Sequence, residues 1–442
     1  MKITYILPAI GKKKGEKYIG TWKMEPLTIA VLKGVTPSDI ETEFFDDRIE
    51  LINYDTETDL VVITVETYTA LRSYQIAEQF KKRGKKVIAG GYHITLFPEE
   101  GEEKFDHIIT GNGEVIWKEV MEDLKRGELK KRYDGKNGAT DVMPDRTIFK
   151  GKNYLPVSLV ETGRGCIHKC EFCSIAKYYN CSYFKRDIDS IIEDMKSCSN
   201  KYFFMVDDNL VADIENAKEL FRRMIPLKVK WAGQGTLTMA KDRELLKLMK
   251  KSGCELILIG FESLEESSLE QMKKSWNGEL DTDKLVREIH RAGIGIYATF
   301  VLGYDGDTKN SITKTVEFAK KHNFYTAAFN HLLPFPGTEL YARLKEENRL
   351  IYDRWWLEES YRYGELSFHP KNMSAEEMAK SARDARKEFA KFGTVLKRGA
   401  ANMYRTSPVM WPLFWAMNLR LGEEIDEKMN VPLGGNLDEL PK

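Results

Sequence analysis

The chain runs to 442 residues, 42% hydrophobic and 11% aromatic, enough to bury the cores of two or three folded domains. Lysine plus arginine and aspartate plus glutamate both number 68, so no net field draws the protein to nucleic acid or to an anionic surface. There are only six cysteines, and the amino terminus reads straight into a strand pattern, Lys2-Ile3-Thr4-Tyr5-Ile6-Leu7. Both features describe a reducing, cytoplasmic protein rather than a disulfide-stapled secreted one, and no apolar run approaches the roughly 18 residues that span a bilayer.

Residues 1–125 alternate apolar runs with amphipathic stretches, the pattern of a parallel α/β sheet. Strands are expected at 2–7, 41–45, 60–65, 86–90 and 107–110, with a helix through Tyr74, Ile76, Ala77 and Phe80 that ends at Gly84. An open sheet of this kind holds its ligand at the carboxyl ends of the strands. The loops there are 11–25, Glu66-Thr67-Tyr68-Thr69, Gly90-Gly91-Tyr92-His93-Ile94-Thr95 and Gly111-Asn112-Gly113-Glu114. Gly90 and Gly91 permit close backbone approach, which suits a large ligand with many amides and a phosphate; tight turns alone would also use such glycines.

Residues 126–156, rich in Lys, Arg, Gly and Asp, read as a linker whose Met143-Pro144-Asp145-Arg146 straps onto the next domain. From Val157 to about residue 345, helix-then-glycine-then-strand units repeat. Leu245 to Met249 lead through Gly253 to the strand at 256–259, and Leu285 to Ile289 through Gly293 to that at 296–302. Strands this continuously apolar are covered on both faces, as in an α/β barrel. The first of them, 157–162, delivers the run Arg164-Gly165-Cys166-Ile167-His168-Lys169-Cys170-Glu171-Phe172-Cys173 at its carboxyl end.

A CxxxCxxC triplet offers three thiolates to a four-iron cluster and leaves one iron open to chemistry. A closed zinc site would need a fourth ligand, for which His168 and Cys181 are the nearby candidates. Cys181, Cys198 and Cys254 otherwise read as buried small hydrophobes.

Residues 346–442 read as a helical cap. Trp355, Trp356, Tyr361, Tyr363 and Phe368, and the run Met410 to Met417, fit packing against the barrel, with a hydrophobic substrate pocket as the alternative. Membrane contact is opposed by Pro412, which interrupts the helix, and by flanks of mixed charge.

The Cys166–Cys173 run resembles the signature of radical S-adenosylmethionine (radical SAM) enzymes. The α/β unit before it, with its Gly90–Thr95 run followed by Pro98-Glu99-Glu100, resembles the cobalamin-binding domain of the class B members. This resemblance implies an N-terminal Rossmann-like open parallel sheet, a radical SAM partial (β/α)6 barrel and a mainly helical C-terminal cap. It implies a four-iron–four-sulfur cluster on Cys166, Cys170 and Cys173, S-adenosylmethionine (SAM), and cobalamin. Thr67, Tyr68, Gly90, Gly91, His93, Thr95 and Gly111 would contact cobalamin, and Phe172, Asp208, Gln234, Glu262 and Pro334 would line SAM. His93 could equally satisfy its own loop. The Asp-x-His-x-x-Gly cobalt-ligand motif of other cobalamin proteins is missing, since Asp46-Asp47-Arg48-Ile49-Glu50 has no histidine. Tyr68 then faces the lower side of cobalt, as ligand or as packing against the corrin edge.

The activity implied is methyl transfer from methylcobalamin to an unactivated carbon after hydrogen abstraction by a 5′-deoxyadenosyl radical. The expected substrate is a peptide or protein residue such as glutamine, or a small molecule. A non-methylating relative, tetrapyrrole cyclase-like or lipid-tailoring, is the alternative. An electron donor such as ferredoxin or flavodoxin is implied, no nucleic acid or transmembrane segment, and a monomer.

Overall fold

The computed structural model describes residues 1–19 and 23–438; within the loop expected over 11–25, Gly20, Thr21 and Trp22 lie outside the described residues. The first sheet is wholly parallel. Its strands β1 (Lys2–Leu7), β2 (Glu41–Asp46), β3 (Leu60–Thr64), β4 (Val87–Gly90), β5 (His107–Thr110) and β6 (Arg132–Asp134) run in the order β2-β1-β3-β4-β5-β6. The first five lie within one residue of the expected ends. Helices cover both faces, which is why Ile3, Tyr5, Val61, Ile63 and Ile88 are all buried and the strands read as apolar runs.

β6 corrects the expected linker. It pairs with β5 (Ile109 beside Tyr133), and the Tyr133 hydroxyl donates to Asp123 at 2.9 Å. Three residues reading Arg-Tyr-Asp carry no strand period, so only tertiary pairing defines them. Arg146 then joins the two units, donating to the Leu159 carbonyl at 2.7 Å and to Glu25 at 3.2 Å, with Asp194 as a third partner.

The second sheet contains β7 (Ser158–Val160), then β10 (Tyr202–Met205), β11 (Lys230–Gly235), β12 (Cys254–Glu262), β13 (Gly295–Leu302) and β14 (Thr326–His331), all parallel and in sequence order. Between β7 and β10 a short antiparallel pair, β8 (Gly163–Gly165) and β9 (Tyr183–Lys185), clamps the base of the cysteine loop. β7 and β14 are edges, so the barrel is partial.

The helix Arg243–Ser252 shows how local signals place each unit. Asp242 caps it by accepting from the Leu245 N–H at 2.9 Å, Leu245, Leu246 and Met249 bury one face, and Gly253 ends it at φ +106°. A Cβ at Gly253 would sit 2.0 Å from the Val229 carbonyl oxygen, so the turn back into β12 requires glycine.

The C-terminal residues close the open seam. The helix Ala375–Phe389 packs on β14, and the helices Phe392–Met403 and Met410–Lys428 set Val395, Met410 and Phe414 against Leu256 and Tyr325. The aromatic segment is packing between domains. Trp355 donates to the Pro334 carbonyl at 2.9 Å and Trp356 to Glu100 at 3.0 Å, both indoles fully buried. The tail then returns to the first sheet, where Arg72 bridges Asp47 and Asp438 at 2.9 Å each. Among the described residues no helix is long and apolar enough to cross a membrane.

Candidate active site at the facing strand ends

Cys166, Cys170 and Cys173 are half-buried on the loop between β8 and β9. The loop folds on itself through Cys173 N–H to the Cys170 carbonyl at 3.1 Å. Backbone N–H groups aim at the sulfurs: His168 at Cys166, and Ile175 and Ala176 at Cys173. Burial pushes the Cys170 thiol up to about 12 and the Cys173 thiol up to about 11, so in the absence of iron these groups stay protonated, and iron must displace the protons on binding. N–H···S donors and a partly open face suit a four-iron cluster with one iron lacking a protein ligand. Among the described residues no three His, Cys, Asp or Glu converge to hold a single metal ion. Cluster thiolates go to three different irons and need not converge. His168 stacks its ring on Trp276 at 4.4 Å, and Cys181 donates to the Ala176 carbonyl at 3.7 Å.

Strand ends of the barrel surround this loop. Asp208, just past β10, accepts from the Gly165 N–H at 2.8 Å, and Gln234 of β11 donates to the Asp208 carbonyl at 3.0 Å. Burial pushes the Asp208 carboxyl up to about 6, against the Gly165 bond, and pushes Asp207 up to about 7 although Thr162 donates to it twice. Asn209 points its amide at Cys166 Sγ, 3.9 Å away, while its buried Oδ1 has no partner, an acceptor left for an incoming donor. Glu262 ends β12 at φ +65°, a backbone state uncommon outside glycine. Its carboxylate accepts from Lys274 at 2.8 Å, and Lys274 also donates to the Gly260 carbonyl at 3.0 Å. Burial opposes the Lys274 charge, yet the Glu262 carboxylate beside it holds its pKa above the usual lysine value.

Phe172 packs edge-on to Tyr304 at 6.4 Å, beside the triplet. Pro334 accepts the Trp355 N–H on its carbonyl at the barrel rim, which leaves that oxygen's second lone pair open.

A cavity of about 440 Å³ opens at the carboxyl ends of the first sheet. Gly90, Gly91, Gly111 and Gly113 form its rim. It runs down between the sheet and two helices, past Leu32, Ile88, Ile109 and Trp117, and its mouth is formed on the barrel side by Glu161, Arg164 and Tyr179. Two rim glycines cannot change. Gly91 sits at φ +112° with an added Cβ 2.6 Å from the Val65 carbonyl oxygen, and Gly111 at φ +71° with one 2.0 Å from that of Gly135. An apolar slot with a glycine cradle at its mouth fits the ring and phosphate of a nucleotide tail, and the junction with the barrel fits a broad macrocycle.

Other residues expected at that ligand are turned away from it. His93 is fully buried, 3.3 Å from Thr67 Oγ1 on one ring nitrogen and 3.0 Å from Glu100 on the other, so it holds the loop and neither it nor Thr67 lines the cavity. Thr95 accepts the Gly111 N–H at 3.0 Å, tying two loops together. Tyr68 packs against Trp355 at 5.2 Å and Tyr363 at 5.4 Å at the domain junction and shares a hydrogen bond with Tyr361. Lys274 escaped the sequence reading, whereas Asn209 stands in the run 205–209 that the family resemblance puts at the methionine amino group. Lys274 lies twelve residues beyond Glu262 in a polar turn, where nothing local marks it.

Residues 160–319 match the family model described as the radical SAM superfamily. With the CxxxCxxC loop at the strand ends, this marks the barrel. Residues 160–319 form a radical SAM domain. The chain is 28% identical over 404 residues to the bacteriochlorophyllide d C-12(1)-methyltransferase of Chlorobaculum tepidum, covering 88% of this chain and 86% of that one. To the C-8(2)-methyltransferase of the same organism it is 29% identical over 357 residues, 74% of this chain and 78% of that one. The solved structure of OxsB, a cobalamin-dependent S-adenosylmethionine radical enzyme with aqua-cobalamin bound, superposes with a TM-score of 0.65 at 14% identity. That match covers 96% of this chain and 72% of OxsB. The likeness extends through the N-terminal sheet, the partial barrel and the helical C-terminal region.

Proposed function

We propose that this protein is a cobalamin-dependent radical SAM C-methyltransferase. The observation that carries the reading is the shared junction: the mouth of the first domain's slot is built partly by Arg164 and Val206, flanking the same loops that hold Cys166 and Asp208. When bound, the cluster with SAM supplies a 5′-deoxyadenosyl radical and cobalamin supplies a methyl group, the pair required at a carbon with no lone pair. Cys166, Cys170 and Cys173 would hold the cluster. Asp208, Gln234 and Glu262 would offer polar groups to the amino acid end of SAM, and Lys274, the buried cation beside the thiols and Glu262, would offer its ammonium to the carboxylate. Tyr68 spends its phenol on Tyr361 and braces the aromatic packing at the domain junction, which gives it a positioning role between the domains rather than that of a cobalt ligand.

The test is an anaerobic assay of enzyme reconstituted with iron, sulfide and cobalamin. S-adenosylhomocysteine and 5′-deoxyadenosine forming together, dependent on substrate, is the expected result. 5′-Deoxyadenosine with no S-adenosylhomocysteine overturns methyl transfer in favour of a cyclase-like reaction.

Lys274→Met will weaken SAM binding about thirtyfold, because a hydrogen bond to a charged group contributes about 2 kcal/mol. Lys274→Arg will restore most of it, as read by equilibrium binding of SAM to cluster-loaded protein.

For the substrate, the favoured class is an apolar ring system bearing an acid group, in place of a peptide side chain. Arg386 reaches over the edge strand β14, donating to the Phe329 carbonyl at 2.7 Å and to Asn330 at 3.3 Å. Tyr68, Tyr297 and Tyr363 lie around it, and among the described residues no carboxylate pairs with it. Burial holds its pKa below the ordinary arginine value, so an incoming acid would relieve an uncompensated charge. The methyltransferase relatives are named for bacteriochlorophyllide, a ring molecule. Arg386→Gln is expected to raise the substrate KM about tenfold or more with kcat nearly unchanged. A fall in kcat alone would exclude the anchoring role.

A further inference from the structure

We propose that the helical hairpin formed by Phe392–Met403 and Met410–Lys428 docks on the surface of an anionic lipid bilayer. One side of each helix is committed to the protein. Val395, Met410 and Phe414 pack against Leu256 and Tyr325, and Arg398 is fully buried, bonded to Asn418 and to the carbonyls of Phe389, Phe324 and Tyr325. The opposite sides therefore point away from the barrel, and they are apolar. The first helix shows Phe392 (66% exposed), Leu396 (45%), Met403 and, just beyond its end, Tyr404 (94%), at helical spacing. The second shows Val409 at its cap, then Leu413 (45%), Ala416 and Leu419 (52%). Two adjoining helices thus carry apolar stripes that none of the described residues covers.

Charge selects the occupant. From Lys391 to Gly422 the chain contains no Asp or Glu, so the mixed charge of the flanks begins only with Glu423, Glu424, Asp426 and Glu427 in the last turns of the second helix, past the apolar stripe that ends at Leu419. Lys397 and Arg420 are exposed beside the stripes, Arg405 is half-buried at the hairpin turn, and Lys391, exposed at the start, pairs with Glu388. A face of apolar and aromatic side chains rimmed by cations complements anionic headgroups over acyl chains. A second copy of the chain would bring like charges together across the same patch. Pro412, which in sequence argued against a membrane helix, falls in the first turn of Met410–Lys428, where a missing N–H costs nothing, so the helix runs on unbroken. The inference is independent of the reaction proposed above.

The test is flotation of the full-length, cluster-loaded protein with vesicles of phosphatidylcholine alone or of phosphatidylcholine with phosphatidylglycerol. The protein is expected to float with the anionic vesicles only, and less as salt is raised. Lys397→Ser and Arg420→Ser should each lower binding about fivefold, and Leu396→Glu with Leu413→Glu should abolish it. These side chains are exposed, so circular dichroism and iron content should match the wild type; Phe392→Ser is a milder probe of the same stripe. Failure to float, equal binding to neutral vesicles, or a lipid-indifferent dimer that Leu396→Glu with Leu413→Glu converts to monomer would overturn the proposal.

Discussion

Cys173→Ala enzyme, reconstituted anaerobically with iron and sulfide, is expected to hold no stable four-iron cluster and to release 5′-deoxyadenosine only at background. The nearby side chains are held in other contacts, His168 stacked on Trp276 and Cys181 donating into its own loop, so neither stands ready in place of a lost thiolate. Losing one of three thiolates therefore leaves two irons without protein ligands. The electron source disappears with the cluster, so the rate falls by on the order of a thousandfold or more. The fold should survive. Cys173 is half-buried at the start of the short helix Ser174–Tyr178, and the smaller alanine costs about 1 kcal/mol there. Cys254→Ala is the control, since Cys254 is buried in β12 within the barrel core, and it should keep both iron and activity at some cost in stability. Full iron content in the Cys173→Ala protein would mean that another group ligates the cluster.

Signals carried within a few residues were legible in the sequence. The cysteine spacing, the five apolar strands of the first sheet, and the glycine that ends Arg243–Ser252 are local, and the structure places each within a residue of its expected position. Chemistry that depends on which side a loop presents was not legible. His93 and Gly91 stand two residues apart in one loop, yet Gly91 rims the cavity while His93 turns back to Glu100 and Thr67. Glu100 itself meets Trp356, 256 residues later, a pairing that no window of sequence contains. β6 escaped because its three residues are a strand only when β5 lies beside them. Nothing local marks Lys274 or Arg386 in the sequence; only the fold sets one against the thiols and the other over the edge of the barrel.

Gly113→Phe is expected to separate the two cofactors, emptying the protein of cobalt while leaving its iron. Gly113 opens the helix Gly113–Arg126 at the rim of the slot. A Cβ added there meets only Leu32 at 3.7 Å and Ile109 at 3.9 Å, ordinary contacts, so the backbone accepts a side chain. The ring must then enter the slot, where it takes up much of the 440 Å³ that the nucleotide tail would fill. Cobalt retained after desalting should drop at least about tenfold, while iron, sulfide and SAM-dependent release of 5′-deoxyadenosine persist and S-adenosylhomocysteine does not form. Gly91→Ala provides the contrast. Its φ of +112° and the 2.6 Å approach to the Val65 carbonyl make any Cβ a backbone collision, costing about 1–3 kcal/mol or more and loosening the whole domain. That variant should lose thermal stability, whereas Gly113→Phe should lose only cobalt. If Gly113→Phe binds cobalamin as tightly as the wild type, the slot is not the site of the nucleotide tail, and the methyl-transfer reading loses the cavity on which it rests.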